Sequence, residues 1–261
     1  MKGFIDRHPS VFCGVLLAVL LGLAYVFRSV FPTAIIGSVS DIAPGTATEP
    51  SALDRILAVF RDAGTLFWAL AIALAGVWLA VLGWSEAGFG GSVRWRNLYL
   101  LWFPLGVAAF SLTGGVGSGG AGYLVAALLG VVISVVGEEL IFRGVMWRAL
   151  ISRGPLRAIL STAFFTGVLY LGNAALASRP LPEIVFNTLT AACAAITYGA
   201  LRWRTGTLWP VVIVHAVLAY TRVVSQPSIG IYQLSLLVSI VGFTLYGLFL
   251  LRNRPVRADG G

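Results

Sequence analysis

The chain has 261 residues, of which 58% are hydrophobic and 11% charged, and its mean hydropathy is +0.91. Soluble domains carry about 25% charged residues, so this polar fraction is too small to cover a water-facing globule, and so apolar a chain is not a disordered one. Eighteen Lys and Arg against ten Asp and Glu give a net charge of +8. In such a chain that excess reads as loop charge facing a cytoplasmic membrane surface, with a lipid bilayer as partner and no nucleic acid.

A membrane-crossing helix needs roughly 20 apolar residues. Eight candidates follow in order: residues 11–27, 63–83, 98–112, 123–137, 158–177, 184–201, 207–224 and 231–251. The first follows Lys2 and Arg7 and resembles a signal peptide's apolar core. No small-x-small site closes it, so it is expected to be retained. Before the second, Ser51-Ala-Leu-Asp54 has capping-box logic, and Leu53, Ile56, Leu57 and Phe60 recur at helical spacing. That pattern predicts a short interfacial helix or the opening turn of the next span. Pro104 interrupts the third candidate. The Gly-rich run 114–122 lacks the Lys-Ser/Thr of a phosphate loop and reads as a flexible joint. The fourth helix is expected to continue to about Ile151.

Charge placement orders these spans. With the N-terminus in the cytoplasm, Lys2, Arg7, Arg94, Arg96, Arg143, Arg148, Arg153, Arg157, Arg202, Arg204, Arg252, Arg254 and Arg257 fall inside. Arg28, Arg55, Arg61, Arg179 and Arg222 fall outside, thirteen against five. The positive-inside rule therefore predicts an all-α polytopic membrane bundle of about eight transmembrane helices, with both termini cytoplasmic. Cys13 and Cys193 lie in apolar runs and read as small core residues.

Ionisable groups inside a span cost about 2.5–3.5 kcal/mol each on insertion scales, which makes them functional suspects. The stretch Ser134-Val-Val-Gly-Glu-Glu-Leu-Ile-Phe-Arg143 holds two adjacent acids. Glu139 and Arg143 stand at i,i+4, the better orientation for pairing. Glu138 points about 100° away and lacks that partner. Glu139 is thus expected to be structural, and Glu138 to be the freer carboxylate, suited to a general base. The plainer alternative is a span end where both acids reach for water. His215, mid-way along an apolar helix, is either a hydrogen-bonded core histidine or the imidazole facing those acids. Thr166, Tyr170, Asn173, Asn187 and Thr190 are polar groups in spans, each explicable as helix glue.

Glu138-Glu139-x-x-x-Arg143 followed by Gly-Val-Met-Trp-Arg resembles the first motif of the CPBP family, the CAAX-protease and bacteriocin-processing (Abi) intramembrane proteases. Thr205-Gly-Thr-Leu-Trp-Pro-Val-Val-Ile-Val-His215 resembles the approach to that family's last motif, His-x-x-x-Asn/Asp. The resemblance spans about residues 123–224. It implies a CPBP-like core there, preceded by N-terminal spans in 1–122 and followed by a last span and basic tail in 225–261. It also implies an endopeptidase at a bacterial plasma membrane, acting on a membrane-associated peptide or protein. Glu138 would activate water, Glu139 and Arg143 would support it, and His215 would bind a metal or donate to the oxyanion. A divalent metal such as zinc, held by Glu138, Glu139 and His215, is one expectation; no cofactor is the other.

Two positions depart from the pattern. The family's Phe-x-x-x-His falls where this chain has Leu169 or Tyr170, and its last Asn/Asp falls at Ala219. Tyr170 or Asn173 could supply a hydrogen bond in the site. The departures keep a second reading open, a catalytically degenerate member that binds or escorts a membrane partner. A small transporter is the third reading, and it leaves the two motif segments unexplained.

Overall fold

The computed structural model describes residues 2–30, 52–59, 62–84, 87–90, 95–117, 119–226 and 229–252. Nine helices organise them. They are α1 (Pro9–Val30), α2 (Ala52–Val59), α3 (Ala63–Leu82), α4 (Asn97–Gly114), α5 (Gly120–Arg153), α6 (Pro155–Leu176), α7 (Leu181–Thr205), α8 (Trp209–Val224) and α9 (Gln233–Arg252). All eight apolar segments read from the sequence lie in helices. Six of the nine (α1, α4, α5, α6, α7 and α9) are long and apolar enough to cross a bilayer, while α3 and α8 hold shorter apolar helices. The protein is an integral membrane helical bundle. Its outward faces carry large apolar side chains such as Val15, Phe164, Leu245 and Phe249, which suit lipid as solvent.

Local chemistry sets the helix boundaries. The Asp62 carboxylate accepts the Thr65 backbone N–H at 2.7 Å and caps α3. Prolines at the first turns of α6, α7 and α8 sit where no intrahelical N–H is needed. Gly206 closes α7 at φ 77°, a left-handed conformation that favours glycine. Pro104 does not break α4. The chain runs as a 3₁₀ helix over Trp95–Leu101 and turns α-helical at Trp102, so the proline lies in the first α turn.

The residues expected to form a short interfacial helix or the next span's opening turn form a separate short helix, α2, packed against α5. Its orientation differs from the amphipathic reading: Leu53 and Leu57 are exposed, whereas Arg55 and Val59 are buried. In a bundle bathed by lipid, outward leucines meet an apolar solvent, so the face turned inward need not be the leucine face. Ser51, Phe60 and Arg61 lie outside the described residues, as do Arg94, Arg254 and Arg257.

The helices that match the motif region are α5, α6, α7 and α8. Helix α6 packs along α7, and α5 packs along α8. The α5–α8 pair is pinned at one end by side chains, with the Tyr123 hydroxyl donating to Val223 O at 3.0 Å and the Tyr220 hydroxyl to Leu124 O at 3.3 Å. The Gly-rich joint is stitched to the same end, where Gly117 N donates to Val224 O and Gln226 N to Gly115 O. At the other end the α7–α8 connection is anchored on Gly88 O, which accepts from Leu208 N and from the Thr207 hydroxyl. Directly before the paired acids, Gly137 lets α3 approach α5. A Cβ there would lie 2.9 Å from the Trp68 ring and 3.1 Å from Trp68 O.

Gly137→Ala is therefore expected to destabilise the bundle by about 1–3 kcal/mol, the cost of overpacking. Gly14→Ala, where a Cβ meets nothing within 4 Å, is the control and is expected to be neutral. Thermal unfolding in detergent compares the two; equal melting temperatures would remove the close contact from the account of how α5 is positioned.

Candidate active site between helices α5 and α8

The α-helical part of α5 ends at Glu139, and Leu140–Met146 continues as a π-helix. In a π-turn the repeat is i→i+5, so the helix is locally underwound. Arg143 consequently reaches both acids. Its Nη1 lies 3.2 Å from Glu139 Oε1 and 3.6 Å from Glu138 Oε1. The α-helical expectation had left Glu138 without this partner. Arg143 and Glu139 are wholly buried, while Glu138 retains 5% exposure. That small difference follows their placement: Glu138 lines a cavity of about 410 Å³ between α5, α6, α7 and α8.

The structure also chooses between Leu169 and Tyr170. Leu169 is fully buried in the hydrophobic core. Tyr170 faces the acids, and its hydroxyl donates to Glu138 Oε2 at 3.0 Å. Asn173, one turn further along α6, lines the same cavity, and its Oδ1 is buried without a hydrogen-bond partner. Ala219 also lines the cavity, where its methyl offers no polar group. Of the suspected helix glue, Thr166 bonds back to Thr162 O in its own helix. Asn187 and Thr190 line the cavity instead.

His215 comes from α8, and its Nδ1 lies 2.7 Å from Glu139 Oε1. It meets Glu139 rather than Glu138. With the Glu139 carboxylate as acceptor, beside Arg143, the proton of this hydrogen bond is assigned to the histidine's Nδ1. In the neutral ring Nε2 then has a lone pair and no proton.

Two further residues belong to this neighbourhood and were not singled out in the sequence. Tyr198 of α7 stacks on His215, with ring centroids 4.6 Å apart and planes inclined by 29°, and Arg143 Cζ lies 5.6 Å from its ring centroid. The signal was present: Asn187, Thr190, Ala191, Ala194 and Tyr198 form one helical stripe of small or polar residues on an otherwise apolar helix, and all five line the cavity. Arg202, counted from sequence among loop charges, is 5% exposed and lies over the Trp147 ring at 5.4 Å.

The acids and histidine offer ligand atoms within 4.8 Å of one another, so a zinc site can be tested. Catalytic zinc takes three protein ligands at about 2.0–2.2 Å, which separates neighbouring ligand atoms by about 3.3 Å. Here Glu139 Oε1 and His215 Nδ1 stand at 2.7 Å and bond to each other. Tyr170 occupies Glu138 Oε2, and Arg143 lies against both carboxylates. Glu138 Oε1, Glu139 Oε2 and His215 Nε2 remain, beside a guanidinium that already supplies positive charge. As arranged, two carboxylate oxygens and the imidazole Nδ1 are engaged in hydrogen bonds rather than open to a metal.

The charge balance gives a direct test. Arg143→Met leaves two buried carboxylates side by side, and breaking a buried pair in this way costs about 3–5 kcal/mol. A large fall in melting temperature in detergent is expected, partly reversed by adding Glu139→Gln. Wild-type melting of Arg143→Met would show that the guanidinium does not hold the pair.

No curated protein and no solved structure matches the chain. Residues 120–221, which supply Glu138, Glu139, Arg143, Tyr170, Tyr198 and His215, match the family model described as type II CAAX prenyl endopeptidase Rce1-like. Over the four helices that build the site, the chain is thus similar to the CAAX-type membrane endopeptidases that this model describes.

Proposed function

We propose that the protein is an intramembrane endopeptidase that hydrolyses a peptide bond of a membrane-associated substrate with water activated by Glu138. The observation that carries this reading is the unequal use of the two acids. Glu139 is enclosed by Arg143 and His215, whereas Glu138 opens on the cavity with one oxygen held by Tyr170. A base needs such a position: fixed in orientation, desolvated, yet within reach of a water molecule. The water gives its proton to Glu138 and its oxygen bonds to the scissile carbonyl carbon. Glu138 then passes the proton to the departing amine. His215, fixed on Glu139 through Nδ1, offers Nε2 as an acceptor that orients the attacking water. Tyr170 stands beside the carboxylate as a donor, a different role from that of an imidazole base. No metal enters these steps.

The second reading, a binding or escort protein that retains the fold, is favoured by one observation. Leu169 or Tyr170, and Ala219, stand where the family pattern has a histidine and an Asn or Asp. The family match makes an S-prenylated peptide with three residues after the modified cysteine the first substrate to try.

Purified protein in liposomes is expected to cleave a fluorescence-quenched peptide of that kind. Glu138→Gln, which keeps the shape and an oxygen for Tyr170, is expected to lower the rate at least about 1,000-fold while binding and melting temperature stay near wild type. Equal, background-level signals from both proteins would exclude hydrolysis and leave the binding reading. Treatment with a strong chelator is expected to leave the rate unchanged; loss on chelation with recovery on added zinc would contradict the metal-free mechanism.

A further inference from the structure

Amide hydrolysis needs a donor for the carbonyl oxygen as it becomes anionic, and the mechanism above leaves that role unfilled. Tyr170 is committed to Glu138 Oε2. His215 is engaged through Nδ1 with Glu139 Oε1 at 2.7 Å. Ala219 has no donor. Tyr198 differs from all three. Its ring is fixed on His215 and under Arg143, and the residue lines the cavity. Its hydroxyl makes no hydrogen bond among the described residues. It lies within electrostatic reach of Glu138, Glu139 and the Tyr170 hydroxyl, so it shares the neighbourhood where a peptide attacked by Glu138-bound water would sit.

We propose that Tyr198 is a catalytic residue whose hydroxyl donates a hydrogen bond to the scissile carbonyl oxygen of the peptide in the transition state. This rests on the endopeptidase reading. As the water oxygen bonds to the carbonyl carbon, the carbonyl π pair moves to oxygen and the water's proton goes to Glu138. Tyr198 keeps its own proton throughout. When the oxygen's electrons return, the C–N bond breaks and the amine leaves with the proton from Glu138. A phenol suits this role because it is neutral, adding no charge beside Arg143, and because its two torsions are locked by stacking. The helix that carries it, α7, is not the one that carries either acid or the histidine. A departure from the family pattern on α6 and α8 is thereby answered from a third helix.

Tyr198→Phe tests this, because it keeps the ring on His215 and Arg143 and removes one oxygen. The probes are the quenched prenylated peptide and the same peptide with a phosphonate in place of the scissile amide, whose anionic tetrahedral group mimics the transition state. Wild type is expected to hold the phosphonate at least about 100-fold more tightly than the parent peptide. In Tyr198→Phe that preference is expected to fall at least tenfold with the parent peptide's Kd unchanged. The kcat is expected to drop about 10²–10³-fold at constant KM. An undiminished phosphonate preference in Tyr198→Phe would overturn the assignment, as would a wild type with no preference, or a selective loss in Asn173→Ala instead. These binding ratios are read whether or not turnover is seen, so failure of Tyr198 is distinguished from failure of hydrolysis, which the Glu138→Gln comparison reports.

Discussion

One guanidinium facing two carboxylates inside a lipid-bathed bundle is the constraint on which the rest of the site depends. Arg143 is wholly buried, and no surface water screens its charge. An isolated ion there would be prohibitively desolvated, so the helix must deliver its partners. The π-helical turn from Leu140 to Met146 does this by bringing one arginine against residues four and five positions earlier. Gly137 allows α3 to approach α5 directly before the paired acids. His215 and Tyr198 then complete the enclosure from α8 and α7.

This arrangement separates two chemically identical side chains. Glu139 receives the guanidinium from its own helix and the imidazole from α8, and so holds two helices together. Glu138, one residue earlier, is rotated towards the cavity and meets a phenol. Environment, not residue type, sets the two carboxylates apart, one enclosed by charged partners and one facing a cavity. The stitching of α5 to α8 at one end and of the α7–α8 connection to Gly88 at the other fixes the distances on which that division relies.

The absence of a second imidazole changes what the cluster can hold. Tyr170 bonds to one acid oxygen and His215 to another, while Glu139 Oε2 and Arg143 Nε and Nη2 are buried without a hydrogen-bond partner. The site therefore brings together a guanidinium, an imidazole and two phenols around the paired acids.

Much of this was legible in the chain alone. Apolar length and arginine placement gave the membrane bundle, because both reflect local transfer energies that need no tertiary contact. The adjacent acids, Arg143 and His215 stood out because charge in an apolar run is costly wherever it lies. Other features depended on three-dimensional packing. A π-turn does not show in residue spacing, so the reach of Arg143 to Glu138 was hidden. Whether Leu169 or Tyr170 faces the acids is set by how α6 is rotated, which small side chains on α7 decide. The inward turn of Arg55, the burial of Arg202 and the stacking of Tyr198 on His215 likewise follow from which helices meet. The sequence determined the solvent, the helices and the rare ionisable groups. Only the tertiary structure decided which groups touch, because contacts between helices distant in sequence depend on rotation and register that no single helix encodes.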